Sequence, residues 1–209
     1  MKYKIPTLQT ERLILKKGSY EDYAKVYEYD FTRLKNIGGE FEFVKNDPEK
    51  LRCFETYADE EENVLDFIIY LKDNNQPIGN IVFDRYDDKN KSLEISCNLH
   101  PNYWKNGYMT EALLSAMEYV FDNLNIDNII YGFAEENFKS KGLSEKIGFH
   151  YYYEDITHYI RIDKDVREIE TIMSKEDFNE KYKNNKKIWL SCMEKIIYAG
   201  WFIFITYIT

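Results

Sequence analysis

The chain has 209 residues, 44% of them hydrophobic, 31% charged and 17% aromatic, a composition that excludes a disordered or fibrous protein. With 37 acidic against 28 basic residues, the formal net charge is -9, so its field repels nucleic acid and anionic lipid and favours cationic or amine-bearing molecules. Cys53, Cys97 and Cys192 are odd in number and widely spaced, and the N-terminus lacks an apolar signal core. Both facts point to a reducing, cytoplasmic setting in which each cysteine is a small buried hydrophobe.

The stretch Ile5–Leu15 alternates around Leu13 and Leu15 and predicts a first strand. Ser19, with Glu21 and Asp22 in the following turn, predicts a helix carrying Tyr23, Val26 and Tyr27 on one face. Asn36-Ile-Gly-Gly reads as a turn, Asp47-Pro48 as an N-cap followed by proline, and Glu49–Tyr57 as a helix ending in the solvated acidic run from Asp59. Three strands in a meander follow, over Leu65–Lys72, Ile78–Tyr86 and Ser92–Leu99. Next come a helix from Thr110 to about Asn123, a strand over Asn128–Ala134, a helix over Lys139–Ile147, and strands over Phe149–Ile156 and Arg167–Ser174. Ser174 and Asp177 form a capping pair for a last helix over Lys175–Lys183. Meander first, then alternating strands and helices, predicts an α+β domain on a mixed, mostly antiparallel sheet flanked by helices.

The C-terminal run over residues 196–209 is apolar but too short for the ~20 residues a membrane helix needs, so it is expected to pack on protein. His100, His150 and His158 are scattered with no cysteine at finger-type spacing, which leaves no metal-ligand pattern.

Two stretches carry chemistry. Gly107 precedes a helix whose first N–H groups lack intrahelical partners, an arrangement suited to phosphate, although a glycine before a helix is most often just a turn. Read together, Tyr103-Trp104-x-x-Gly107-Tyr108-x-Thr110-Glu111-Ala112, then Asn137-x-x-Ser140 with Lys146-Ile147-Gly148-Phe149, resemble the two signature motifs of the GNAT superfamily of acetyl-CoA-dependent N-acetyltransferases. The segment Ile5-Pro-Thr-Leu-Gln-Thr-Glu-Arg-Leu-Ile-Leu resembles the branch that includes the ribosomal-protein alanine N-acetyltransferases. The likeness covers about residues 5 to 174, so a GNAT domain is expected over 1–175, splayed at the cofactor site, with an extension over 176–209 that packs on it or pairs two subunits in a homodimer.

The resemblance implies acetyl-CoA as co-substrate. Leu99, Trp104, Lys105, Asn106, Gly107, Tyr108, Met109 and Thr110 would line the pyrophosphate and pantetheine path, and Asn137 and Ser140 would contact the pantetheine arm and the leaving thiolate. Of the family's Gln/Arg-x-x-Gly-x-Gly/Ala pattern the central Gly107 matches; Met109 stands where a small residue is usual and is expected to narrow the approach to phosphate, while Lys105 supplies charge. The strand before the loop places Leu93, Ile95, Cys97 and Leu99 on one face and Glu94, Ser96, Asn98 and His100 on the other. On that polar face Glu94 is the candidate general base, or simply an exposed strand glutamate. The family's direct attack on the thioester needs no cysteine nucleophile, and N–H groups of the strand end, about Asn98 to His100, would hold the oxyanion. Many relatives carry a tyrosine acid seven residues after the motif asparagine, where this chain has Ser144, which leaves Ser140 as the group assisting the thiolate; Asn137 and Ser140 could equally just cap their helix. The expected acceptor is a peptide N-terminus, a small amine or an aminoglycoside-like polyamine. The alternative is a non-catalytic CoA-binding or protein-interaction module on the same fold.

Overall fold

A computed structural model describes residues 2–28, 48–159 and 163–184, and the chain divides into two compact units, Met1–Met173 and Ser174–Thr209. The first unit carries an open eight-stranded sheet in the order β1-β2-β3-β4-β5-β6-β8-β7. Its strands are β1 (Leu8–Gln9), β2 (Leu13–Lys16), β3 (Leu65–Leu71), β4 (Pro77–Asp87), β5 (Ser92–Leu99), β6 (Asn128–Ala134), β7 (His150–Tyr159) and β8 (Lys164–Ser174). Strands β1 to β5 pair antiparallel in chain order, with α1 and α2 inserted between β2 and β3; β5 pairs β6 in parallel, and β7 pairs β8 antiparallel.

The single strand expected over Ile5–Leu15 is instead the hairpin of β1 and β2, with Leu8 opposite Leu15. Thr10 makes the reversal: its N–H donates to the Leu13 carbonyl at 3.0 Å while its hydroxyl accepts from the Leu13 N–H at 2.9 Å. Alternation alone cannot show this turn, because the side-chain parity of Leu13 and Leu15 is the same in either reading.

Helix α1 (Tyr20–Val26) opens on the expected capping box of Ser19 and Asp22, and α2 runs over Pro48–Glu60, reaching into the acidic run rather than stopping before it. Tyr23, Val26 and Tyr27 of the α1 segment pack with Leu51 of α2 against Ile68 and Tyr70, closing that side of the meander. Cys53, expected to be a buried hydrophobe, is exposed on α2. The Asn36-Ile-Gly-Gly turn, Asp47, Cys192 and the apolar tail lie outside the described residues.

Helix α3 (Tyr108–Asn123) starts two residues before the expected Thr110 and buries Met109, Ala112, Leu113, Ala116, Met117, Val120 and Phe121 as one stripe. Each large member of such a stripe contributes roughly 1.5–3 kcal/mol of transfer free energy. Helix α4 (Phe138–Ile147) ends at Gly148 in the left-handed conformation. In the second unit Ser174 caps α5 (Lys175–Phe178) as expected, its hydroxyl accepting from the Asp177 N–H at 3.0 Å, and a π-helical turn over Asn179–Asn184 continues it with Phe178 against Tyr182. No helix among the described residues is long and apolar enough to cross a membrane.

Candidate active site

The parallel pairing of β5 with β6 runs from Ser92–Asn128 to Ile95–Tyr131 and stops, although β5 continues to Leu99 and β6 to Ala134. The sheet therefore opens between the far ends of two adjacent strands. On the other edge of β5, pairing with β4 continues past the strand: the His100 N–H donates to the Ile78 carbonyl at 2.8 Å. His100 is thus not an oxyanion donor, contrary to expectation, and its ring turns back so that Nδ1 accepts from the Asn102 N–H. Alternation along the strand directs the N–H of Leu99, and of Cys97 before it, into the opening. The Leu99 carbonyl also points away from β4, where it accepts from Trp104 Nε1 at 2.7 Å.

After the 3-10 turn Pro101–Tyr103, the chain reaches Gly107, the N-cap of α3, at φ 79°. A left-handed residue here turns the chain sharply into the helix, whose first N–H groups, those of Tyr108, Met109 and Thr110, have no intrahelical partner. Met109 does not narrow this mouth as expected, because its side chain is buried in the core with the α3 stripe. Asn106 spends its side chain holding the loop, donating to the Tyr103 and Trp104 carbonyls.

A clamp that sequence reasoning missed fixes the helix start. Arg12, in the β1–β2 turn, pairs with Glu111 through Nε at 2.7 Å and Nη2 at 2.6 Å, donates from Nη1 to the Asn106 carbonyl at 3.0 Å, and lies 4.6 Å above the Tyr108 ring. Partial burial raises the Glu111 pKa, but hydrogen bonds from Thr10 and from the Arg12 amide and guanidinium outweigh it and leave the carboxyl below its ordinary value.

The second motif comes to the same place. Asn137 caps α4, its Oδ1 accepting from the Ser140 N–H at 3.2 Å, so the capping reading holds for Asn137 while its side-chain NH2 keeps its donors. Lys139 sits 3.7 Å from the centre of the Trp104 ring, joining the two motifs. Desolvation, and then the charge of Lys105, lowers the Lys139 pKa, so two cations converge beside the helix start. Neither contact has a sequence signature, because each depends on where β6 delivers α4.

Tyr131, the last β6 residue to pair with β5, places its hydroxyl 3.7 Å from Cys97 Sγ and within hydrogen-bonding reach of Ser140. Burial, then Cys97, pushes the Tyr131 pKa well above its ordinary value; burial likewise pushes the Cys97 thiol up to about 11, so it stays protonated. Ser144, at the position where a tyrosine acid was sought, is buried and shares a 3.0 Å hydrogen bond with Thr171, whose hydroxyl donates to the Tyr131 carbonyl at 2.8 Å. It ties α4 to β8 and β6 and does not face the opening.

Glu94 lies on the opposite face of β5 from Cys97, as alternation predicts, directly across from Asp84. Arg85 grips both its oxygens, at 2.8 and 2.9 Å. Desolvation raises the Glu94 pKa, opposed by the Arg85 charge and hydrogen bonds. Sequence reasoning missed Glu170 on β8: a Cβ on Gly132 of β6 would come within 2.7 Å of its Oε1, so the carboxylate lies over β6 at the one place where no side chain blocks it. A glycine in mid-strand was the available signal.

These elements suit an acyl donor carrying a pyrophosphate. A model of the acetyltransferase (GNAT) domain matches residues 12–150. The N-acetyltransferase YnaD of Bacillus subtilis (strain 168), whose name calls it uncharacterized, is 32% identical over 143 residues, covering 68% of this chain and 81% of that protein. Among solved structures, a GNAT-family acetyltransferase from Bacillus anthracis aligns with a TM-score of 0.66 at 25% identity, over 82% of this chain and 99% of its own. The ribosomal-protein-S5-alanine acetyltransferase of Vibrio fischeri aligns with a TM-score of 0.64 at 18% identity, over 83% of this chain and 98% of its own, a likeness of fold.

Proposed function

The chain belongs to the GNAT acetyltransferase family and is an N-acetyltransferase, and from that premise we propose that it carries the acetyl group of acetyl-CoA onto a primary amine, a peptide N-terminus or a small amine, by direct attack. The observation that carries the reading is the opening between β5 and β6, tied by the Trp104–Leu99 hydrogen bond to the loop that leads into α3. The donor set fits the co-substrate: amides of Tyr108, Met109 and Thr110 toward the pyrophosphate, Lys105 and Lys139 as counter-charges, and the side-chain NH2 of Asn137 toward the amide-bearing pantetheine arm. The net charge of -9 favours a cationic acceptor over an anionic one.

In this mechanism the thioester carbonyl points its oxygen at the N–H groups of Leu99 and Cys97, which stabilise the charge that develops there. The amine's nitrogen attacks the carbonyl carbon, and its proton moves toward Glu94, directly or through water. The C–S bond breaks and Ser140, adjoining the Tyr131 hydroxyl, donates to the sulfur. We assign the GNAT unit to residues 1–175 and 176–209 to a C-terminal extension, and place the enzyme in the cytoplasm.

Purified protein mixed with acetyl-CoA and a panel of amines is expected to release CoA, followed with a thiol reagent. Glu94→Gln should slow turnover about 10²-fold or more, the usual contribution of a positioned base. An unchanged rate for Glu94→Gln between about pH 6 and 9 would remove Glu94 from the mechanism.

A further inference from the structure

Glu94 is an incomplete base. Arg85 occupies both its oxygens, and although that pairing favours the charged form, desolvation outweighs it and lifts the carboxyl above its ordinary value. The register locates a second carboxylate on the same face of the sheet. Glu94 pairs with Ile130 of β6, and Gly132, two residues on, shares the face of Ile130. A Cβ on Gly132 would point onto that face, where it would meet the Glu170 carboxylate, with Oε1 at 2.7 Å and Oε2 at 3.1 Å. Glu170 therefore leans from β8 across the bare backbone of β6 toward β5, and its buried Oε2 finds no hydrogen-bond donor.

Resting on the acetyl-transfer reading, we propose that Glu170 is a second catalytic carboxylate: Glu94, paired with Arg85, binds the acceptor ammonium and draws off its proton, and the free Oε2 of Glu170 is the group that finally takes it. The groups around it fit that division. Arg85 faces it from β4, Glu94, with Asp84 across from it, from β5, Glu168 from its own strand and Tyr153 from β7, while β6 presents Ile130 and Gly132. Glu168 is already engaged, accepting from Thr157 Oγ1 at 2.7 Å and from the Tyr159 hydroxyl at 2.5 Å. Desolvation, then the charges of Glu94 and Glu168, lifts Glu170 to about 7 against the lowering by Arg85, which suits a base working near neutrality.

The step balances. The ammonium N–H bond breaks and its proton passes to Glu170; the freed lone pair forms the C–N bond; the C–S bond breaks with its electron pair leaving on sulfur. Of the two protons left on nitrogen, one passes by way of Ser140 to the thiolate and the other stays on the amide, and Glu170 returns its own proton to solvent, so one amide, one CoA thiol and one proton leave per turnover.

The test is the pH profile of kcat/KM for the amine that the wild type turns over best. The wild type should show an ascending limb near pH 7. Glu170→Gln should lose that limb and fall 10²- to 10⁴-fold at pH 8, with the KM for acetyl-CoA within about twofold of wild type. Glu170→Asp should recover part of the rate and the limb, which a merely structural role would not require. Glu94→Gln should keep a limb displaced to lower pH, because the like charge is gone and Arg85 is freed. A Glu170→Gln profile that matches wild type, or a limb abolished by Glu94→Gln alone, overturns the role of Glu170 and leaves acetyl transfer standing. A wild type that releases no CoA with any amine overturns both.

Discussion

Asp66 is a carboxylate buried at 2% exposure within the meander, near Tyr23, Asn80 and Asp84, and its Oδ1 has no hydrogen-bond partner. Desolvation raises its pKa to about 7, despite hydrogen bonds from Tyr23 and Asn80 that lower it. The unfolded carboxyl titrates at about 3.9, so between those limits the native state holds more protons than the unfolded one. Stability from this group is therefore full below about pH 4 and is lost as pH rises through about 7, on the order of 4 kcal/mol across the window. Denaturant unfolding at several pH values should show that decline in the wild type. Asp66→Asn should flatten it and gain relative stability at pH 8; an unchanged slope would mean that Asp66 is ionised in the fold.

At the scale of elements, the helix start depends on a backbone conformation and on a clamp. Gly107 sits at φ 79°, where a side chain adds about 1 kcal/mol of strain, while the nearest atom to an added Cβ, Arg12 Nη2 at 3.5 Å, is in ordinary contact. Gly107→Ala should thus lower Tm by about 2–4 °C through backbone strain. By calorimetry it should also weaken acetyl-CoA binding, since the amides of residues 108–110 take their directions from this turn. Full-strength binding would separate the helix start from the pyrophosphate. The elements themselves were legible in the sequence because local patterns specify them: the Ser19–Asp22 box, the alternation of Ser92–Leu99, and the apolar spacing of α3. Glu94 and Ser140 were singled out through a family pattern, and their positions in the fold, Glu94 across from Asp84 and Ser140 within reach of the Tyr131 hydroxyl, follow from the sheet register. Arg12, Lys139 and Glu170 were not, because each acts on a partner brought to it by the sheet order: Arg12 reaches Glu111, Lys139 reaches Trp104, and Glu170 reaches over Gly132. The polar face of β5 was read correctly at Glu94 but not at His100, where the chain has already left the strand and the ring serves the following turn.

At the scale of the whole molecule, residues 196–209 form an apolar run that would be an aggregation hazard if left in water. If that run pairs two subunits, removing it should halve the mass measured by light scattering at micromolar concentration. A mass unchanged by the deletion, apart from the lost residues, would count against the homodimer. The short parallel contact of β5 with β6 bears on how the molecule assembles in time. Strands β2 to β5 and the pair β7–β8 meet neighbours across brief turns or short loops, apart from the long segment that carries α1 and α2 between β2 and β3. The β5–β6 contact must instead bring its strands together across all of α3, with four residue pairs to offset the loop-closure entropy. The cleft wall is thus among the least local features of the fold. In chain order the helix start and Glu94 are synthesised before β6, the strand whose partial pairing with β5 creates the opening between them.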